Sequence, residues 1–97
     1  MPKGYFIACY REISNPDALV DYAKIAGPAV QANGGRFLAR GGRVEALEAG
    51  VAERTVVIEF DSYEAALAHY HSDGYKAALD SLGDAAVRDI RVVEGFE

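Results

Sequence analysis

Glu59 is the residue whose surroundings most invite chemistry, because it interrupts the most apolar run of the chain, Arg54-Thr-Val-Val-Ile-Glu-Phe60. A carboxylate inside such a run needs a hydrogen-bonded or charged partner if it is buried. Burial with a raised pKa would suit a general base, for example one abstracting a proton next to a carbonyl. The competing reading is a structural ion pair with Arg40, or a strand-face carboxylate near solvent. His69 and His71 supply the second candidate. Two residues apart on a helix, they point about 200° from each other and cannot ligate one metal together. His69 with Asp73 is better spaced, and a hydrogen-bonded pair would orient the imidazole as an acid or base. The bland alternative is a histidine at the surface or at a cavity edge. Glu59 and His69 are therefore the candidate catalytic residues, and no metal site is expected.

Tyrosine is frequent for so short a chain, at Tyr5, Tyr10, Tyr22, Tyr70 and Tyr75 among others. An apolar ring with a polar tip suits core edges and the walls of a small-molecule pocket alike. Tyr5, Tyr70 and Tyr75, together with Arg40, are the candidate ligand-binding residues. Cys9 sits in the first strand among apolar neighbours, which reads as a packed thiol and not a nucleophile. Gly34-Gly35 and Gly41-Gly42 lack the Lys-Ser/Thr of a phosphate loop and the spacing of a dinucleotide fingerprint, so they are turns. No cofactor is expected.

The elements that must position these side chains follow from local pattern. Residues 5–10 form an apolar first strand, stopped by Arg11-Glu12 and Ser14-Asn15-Pro16-Asp17. Asn15 as cap, Pro16 at the first helical position and Asp17 in the first turn open a helix. Leu19, Tyr22, Ala23, Ala26 and Val30 form its core stripe to about residue 32, with a kink or restart expected at Gly27-Pro28. Residues 36–40 and 43–47 flank Gly41-Gly42 as a tight hairpin. Residues 54–60 give the strongest strand signal. Ser62 caps a short helix over 64–71 in which Ala66, Leu67 and Tyr70 share a face. Ser72 opens a second helix carrying Tyr75, Ala78, Leu79 and Leu82, which ends at Gly83. Residues 87–93 form the last strand.

Ninety-seven residues, 51% hydrophobic and 26% charged, make one domain spanning 1–97 that closes a core without a metal or disulfide staple. Net charge is −5 and the ten basic residues are scattered, with Arg36, Arg40 and Arg43 near one turn and Arg88 with Arg91 near the end. That distribution does not build the stripe that phosphate neutralisation needs, so nucleic acid is not an expected partner. No stretch approaches the roughly 20 apolar residues of a membrane span, and Met1-Pro2-Lys3-Gly4 lacks an apolar signal core. A cytoplasmic location is expected, with no membrane partner.

The order strand, helix, strand pair, strand, broken helix, strand is the split βαβ arrangement: α+β, ferredoxin-like, a four-stranded antiparallel sheet with helices on one face. Both faces of the first strand (Tyr5, Ile7, Cys9; Phe6, Ala8, Tyr10) and of the third (Val56, Ile58, Phe60; Thr55, Val57, Glu59) are largely apolar, where a sheet wet on one side should alternate with polar residues. A second copy of the chain is the expected cover for the bare face, making the protein its own partner in a homodimer.

Residues 33–42, Asn-Gly-Gly-Arg-Phe-Leu-Ala-Arg-Gly-Gly, together with Arg54 to Ser62, Tyr70 with Ser72 to Tyr75, and Val93-Glu94-Gly95, resemble the domain-of-unknown-function family thirteen-thirty over nearly the whole chain. The resemblance implies the dimeric α/β-barrel superfamily, whose sheets pack face to face across a dimer. That superfamily includes cofactor-free monooxygenases, isomerases, haem-degrading enzymes and stress-responsive proteins, so the fold alone licenses no chemistry. The chain departs from the family at His69-Tyr70, where Trp-Tyr is usual, and at Gly83-Asp84, where an arginine usually follows the last helix. The functional expectation is a small organic molecule bound between sheet and helices, with monooxygenase- or isomerase-like catalysis there. The alternative is a non-catalytic stress-associated, ligand-binding or assembly module.

Overall fold

Alternation along the first strand decides which way the sheet faces. The computed structural model describes residues 2–97, and in it β1 (Gly4–Ile13) buries Phe6, Ala8 and Tyr10 on one side while Tyr5, Ile7 and Cys9 stay half-buried on the other. β1 lies at the sheet centre between β3 (Thr55–Phe60) and β4 (Ala86–Glu94), and β2 (Arg36–Arg40) forms the edge beyond β3, every pair antiparallel. This is the ferredoxin-like order. β1 runs longer than its apolar stretch predicts because β4 continues to pair with it through Ile13 and Ala86, past a bulge at Arg11.

Three helices cover the Phe6 side. α1 (Pro16–Ala32) buries Tyr22, Ala26 and Val30, and its first turn is capped by the Asn15 side chain accepting from the Ala18 N–H at 3.2 Å. It continues through Gly27-Pro28 without a restart, since buried side chains before and after the proline hold both halves against the core. α2 (Tyr63–Tyr70) and α3 (Asp73–Leu82) are capped by Ser62 and Ser72, and α3 stops at Gly83 with φ +54°. The core lies in this sheet–helix layer, where Phe60, Ala66, Tyr75 and Ala78 are inaccessible.

The tight hairpin expected at Gly41-Gly42 does not form. Gly41, at φ +73°, turns the chain into an irregular stretch over 41–54, and β2 pairs with β3. The Ala- and Glu-containing segment 43–47 competes poorly for a strand position with the β-branched Thr55-Val-Val-Ile58. The middle of the stretch, Val44 to Val51, bends along Cys9, Thr55, Asp89 and Arg91 on the side away from the helices and bounds a groove of about 530 Å³.

The face away from the helices is otherwise uncovered. Ile7 and Val57 pair at its middle, Val93 stands on the edge strand β4, and charged pairs flank them, Arg36 with Glu59 and Arg91 with Asp89, each at 3.1 Å. The molecule is 17 Å across its shortest dimension, the thickness of one sheet under one helical layer.

Candidate functional site

Where α1 crosses the sheet the packing is incomplete. A cleft of about 30 Å³ remains between α1 (Tyr22, Ala23, Ala26, Gly27) and the helix-facing side of β1 and β3 (Phe6, Tyr10, Val56), with Tyr75 of α3 also in its wall. That volume holds about two waters. Its solvent side carries Arg40 and Arg54, the residues that begin and end the connection from β2 to β3. Arg40 is exposed and rests on the Phe37 ring, its guanidinium carbon 4.6 Å from the centroid. Arg54 is half-buried, and its Nε is enclosed without a hydrogen-bond partner.

Behind the cleft the polar groups form a closed set. The Tyr22 and Tyr75 hydroxyls are 2.6 Å apart, and Arg88 Nη1 donates to them at 3.0 and 3.2 Å. Burial is the main cause that drives the Tyr22 phenol well above its ordinary range, so the hydroxyl stays protonated. Burial pulls Arg88 down, but the tyrosine oxygens more than reverse it and the net movement is upward, keeping the guanidinium charged. Its charge also lies against the Tyr10 ring at 5.6 Å, while Arg54 sits 6.0 Å from the same ring.

Glu59 stands on the opposite side of the sheet. It pairs across strands with Arg36, whose Nε donates at 3.1 Å, and it accepts from the Tyr5 hydroxyl at 3.2 Å. The ion pair considered with Arg40 thus forms with Arg36, because Arg40 projects to the helix side. Burial and the Glu59 carboxylate raise the Tyr5 pKa, which keeps Tyr5 a donor.

His69 is neither at the surface nor beside Asp73. It is 1% exposed, packed against Phe6, Phe60 and Tyr75 with ring centroids 5.7, 5.1 and 4.6 Å away. Its partner is Asn33 at the end of α1, whose Nδ2 lies 2.9 Å from His69 Nδ1 and 3.2 Å from Ser72 Oγ. Ser72 Oγ already donates to the His69 carbonyl at 2.7 Å, so the Asn33 amide donates to both, and Nδ1 accepts. The remaining proton sits on Nε2, which has no conventional acceptor and faces aromatic rings. Burial lowers the imidazole pKa to about 4.

Of the residues singled out from sequence, Arg40 and Tyr75 share the cleft. Tyr5 and Glu59 meet on the other face, Tyr70 leans on Phe6 from a third direction, and His69 is sealed in the core. The sheet therefore separates Glu59 from His69. Sequence reasoning missed Arg54 and Arg88 as members of the site and left Tyr22 as one of many tyrosines. The only signal for the arginines was strand parity: Arg88 shares the parity of Ile90 and Val92, which face the helices. Among the described residues no group of His, Cys, Asp and Glu is placed to hold a metal.

A family model for a domain of unknown function, DUF1330, matches residues 3–96. The chain belongs to this family. DUF1330 gives the chain its place by sequence, and solved structures agree on the fold. A protein of unknown function from Rhodopseudomonas palustris superposes with a TM-score of 0.66 at 20% identity, covering 96% of this chain and 80% of its own. A dimeric ferredoxin-like protein of unknown function from Thermobifida fusca gives 0.60 at 21% identity, covering 96% and 89%. A protein from Nitrosomonas europaea assigned provisionally as an antibiotic biosynthesis monooxygenase gives 0.61 at 14%, covering 98% and 90%. At these identities the likeness is one of fold. No curated protein matches this DUF1330 chain.

Proposed function

We propose that the protein is a homodimer, joined through the uncovered sheet face, that binds a small organic molecule in the cleft between α1 and the sheet. The observation that carries the binding reading is the cleft itself, with apolar walls, Tyr22 and Tyr75 at its back and Arg40 and Arg54 at its solvent side. A ligand larger than two waters enters by displacing Arg40, whose side chain is held by stacking on Phe37 alone among the described residues. Binding is favoured over catalysis because no carboxylate, imidazole or thiol lines the cleft, which leaves no proton acceptor there at neutral pH.

Support for the dimer comes from the exposed apolar positions Val87 and Val93 on the uncovered face and from the dimeric relative of T. fusca. Two experiments test the proposal. Ala23→Leu puts extra side-chain volume into the cleft: small organic fragments should raise the melting temperature of the wild type and leave the variant unmoved. A variant that responds equally would place binding elsewhere. In sedimentation, the wild type should run at twice the mass of Ile7→Glu, and equal masses would remove the dimer.

A further inference from the structure

The charges around the cleft do not balance. The chain carries fifteen acidic and ten basic residues, so carboxylates are in excess, yet none of them lines the cleft. Its arginines make no ion pair: those among the described residues use Lys3, Arg36 and Arg91. Arg88 is half-buried against the Tyr10 and Tyr22 rings and donates to the Tyr22 and Tyr75 hydroxyls, with no carboxylate among its partners. Arg54 is half-buried with an enclosed, unpartnered Nε, and it lies close to the turn that follows Arg40, where a Cβ on Gly41 would be 3.3 Å from Arg54 Nη1. Charge held out of water without a counterion is unfavourable, and a guanidinium presents paired donors that fit a carboxylate.

Resting on the reading that the cleft binds a small molecule, we infer that its ligand is a small organic monocarboxylate. The carboxylate lies between Arg40 and Arg54 at the solvent end, and the apolar remainder packs on Ala23, Ala26 and Phe37. Arg88, held by Tyr22 and Tyr75, adds positive potential from behind without touching the ligand.

The test uses the whole protein and matched probes: monocarboxylates from acetate to benzoate, each against its uncharged amide, measured by calorimetry and thermal shift. The expected result is that one or more carboxylates bind roughly tenfold or more tighter than their amides. Arg40→Gln and Arg54→Gln should each bring the carboxylate down to the level of the amide while leaving the amide unchanged. Arg54→Lys, which keeps the charge and guards against misfolding, should retain part of the preference. Amides binding as well as carboxylates would overturn the anion inference and leave the cleft reading standing. Binding of neither class would overturn the anion inference, with the fragment response of Ala23→Leu then deciding the cleft reading by itself. A carboxylate preference that survives both glutamine variants would also overturn it.

Discussion

At the scale of single residues, His69 has the sharpest consequence. Its folded pKa of about 4 lies below the ordinary value of 6.5, because the core disfavours the charged ring. Between those values the unfolded chain takes a proton that the native chain refuses. Stability attributable to this residue is therefore present above about pH 6.5 and lost as pH falls toward 4, by about 2 kcal/mol at pH 5. The wild type should melt roughly 10 °C lower at pH 5 than at pH 7 on this account. His69→Phe, which cannot titrate, should show a smaller gap in the same calorimetric scans, and an equal gap would mean another group is responsible. Glu59 belongs at the other extreme. Its bonds to Arg36 and Tyr5 are on a half-open face, so Glu59→Gln should change the unfolding free energy by less than about 1 kcal/mol in urea titrations of the Ile7→Glu background.

At the scale of elements, the short serine caps should dominate local stability. Ser62→Ala removes one acceptor for the Ala65 N–H and should cost about 1 kcal/mol. Ser72→Ala should cost more, since Ser72 caps α3 and also joins the His69 carbonyl to Asn33 across the α1, α2 and α3 ends. Denaturant midpoints in that order are the expected result. Gly4 marks the tightest approach of strand to loop: a Cβ there would meet the Ser62 backbone, which cannot yield as a side-chain tip can. Gly4→Ala should therefore cost roughly 1–3 kcal/mol, and Gly42→Ala, in open space, almost nothing. These caps and stops were legible in the sequence because each depends on one residue and its immediate neighbours. The 41–54 connection was not, since which segment joins β2 is settled by competition with the distant Thr55–Phe60. His69 was hidden for a related reason: α2 spans only two turns, too few to fix which side faces inward, and Ala66 and His69 turned out to share the buried side.

At the scale of the whole molecule, the split βαβ order and the two-sided apolar character of β1 and β3 were both readable from alternation alone. The site was read only in part. The region between sheet and helices was anticipated, and Arg40 and Tyr75 line the cleft there; His69 lies in the same layer but is sealed outside the cleft, and Glu59 is on the other face of the sheet. Parity along a strand tells which residues share a face without telling which face the helices cover, and Glu59 lies on the uncovered one. The connection between β2 and β3 now ties the two faces together. Arg40 and Arg54 bracket it beside the cleft, while Val44 to Val51 run along the uncovered face where a second copy would sit. A single irregular span with its ends on one side of a sheet and its middle on the other would link cleft occupancy to assembly, and such a linkage is reciprocal. Ligand affinity should then fall on dilution through the dimer dissociation range, and saturating ligand should tighten the dimer by the same factor, so the cell's concentration of the protein would itself set how strongly the cleft responds.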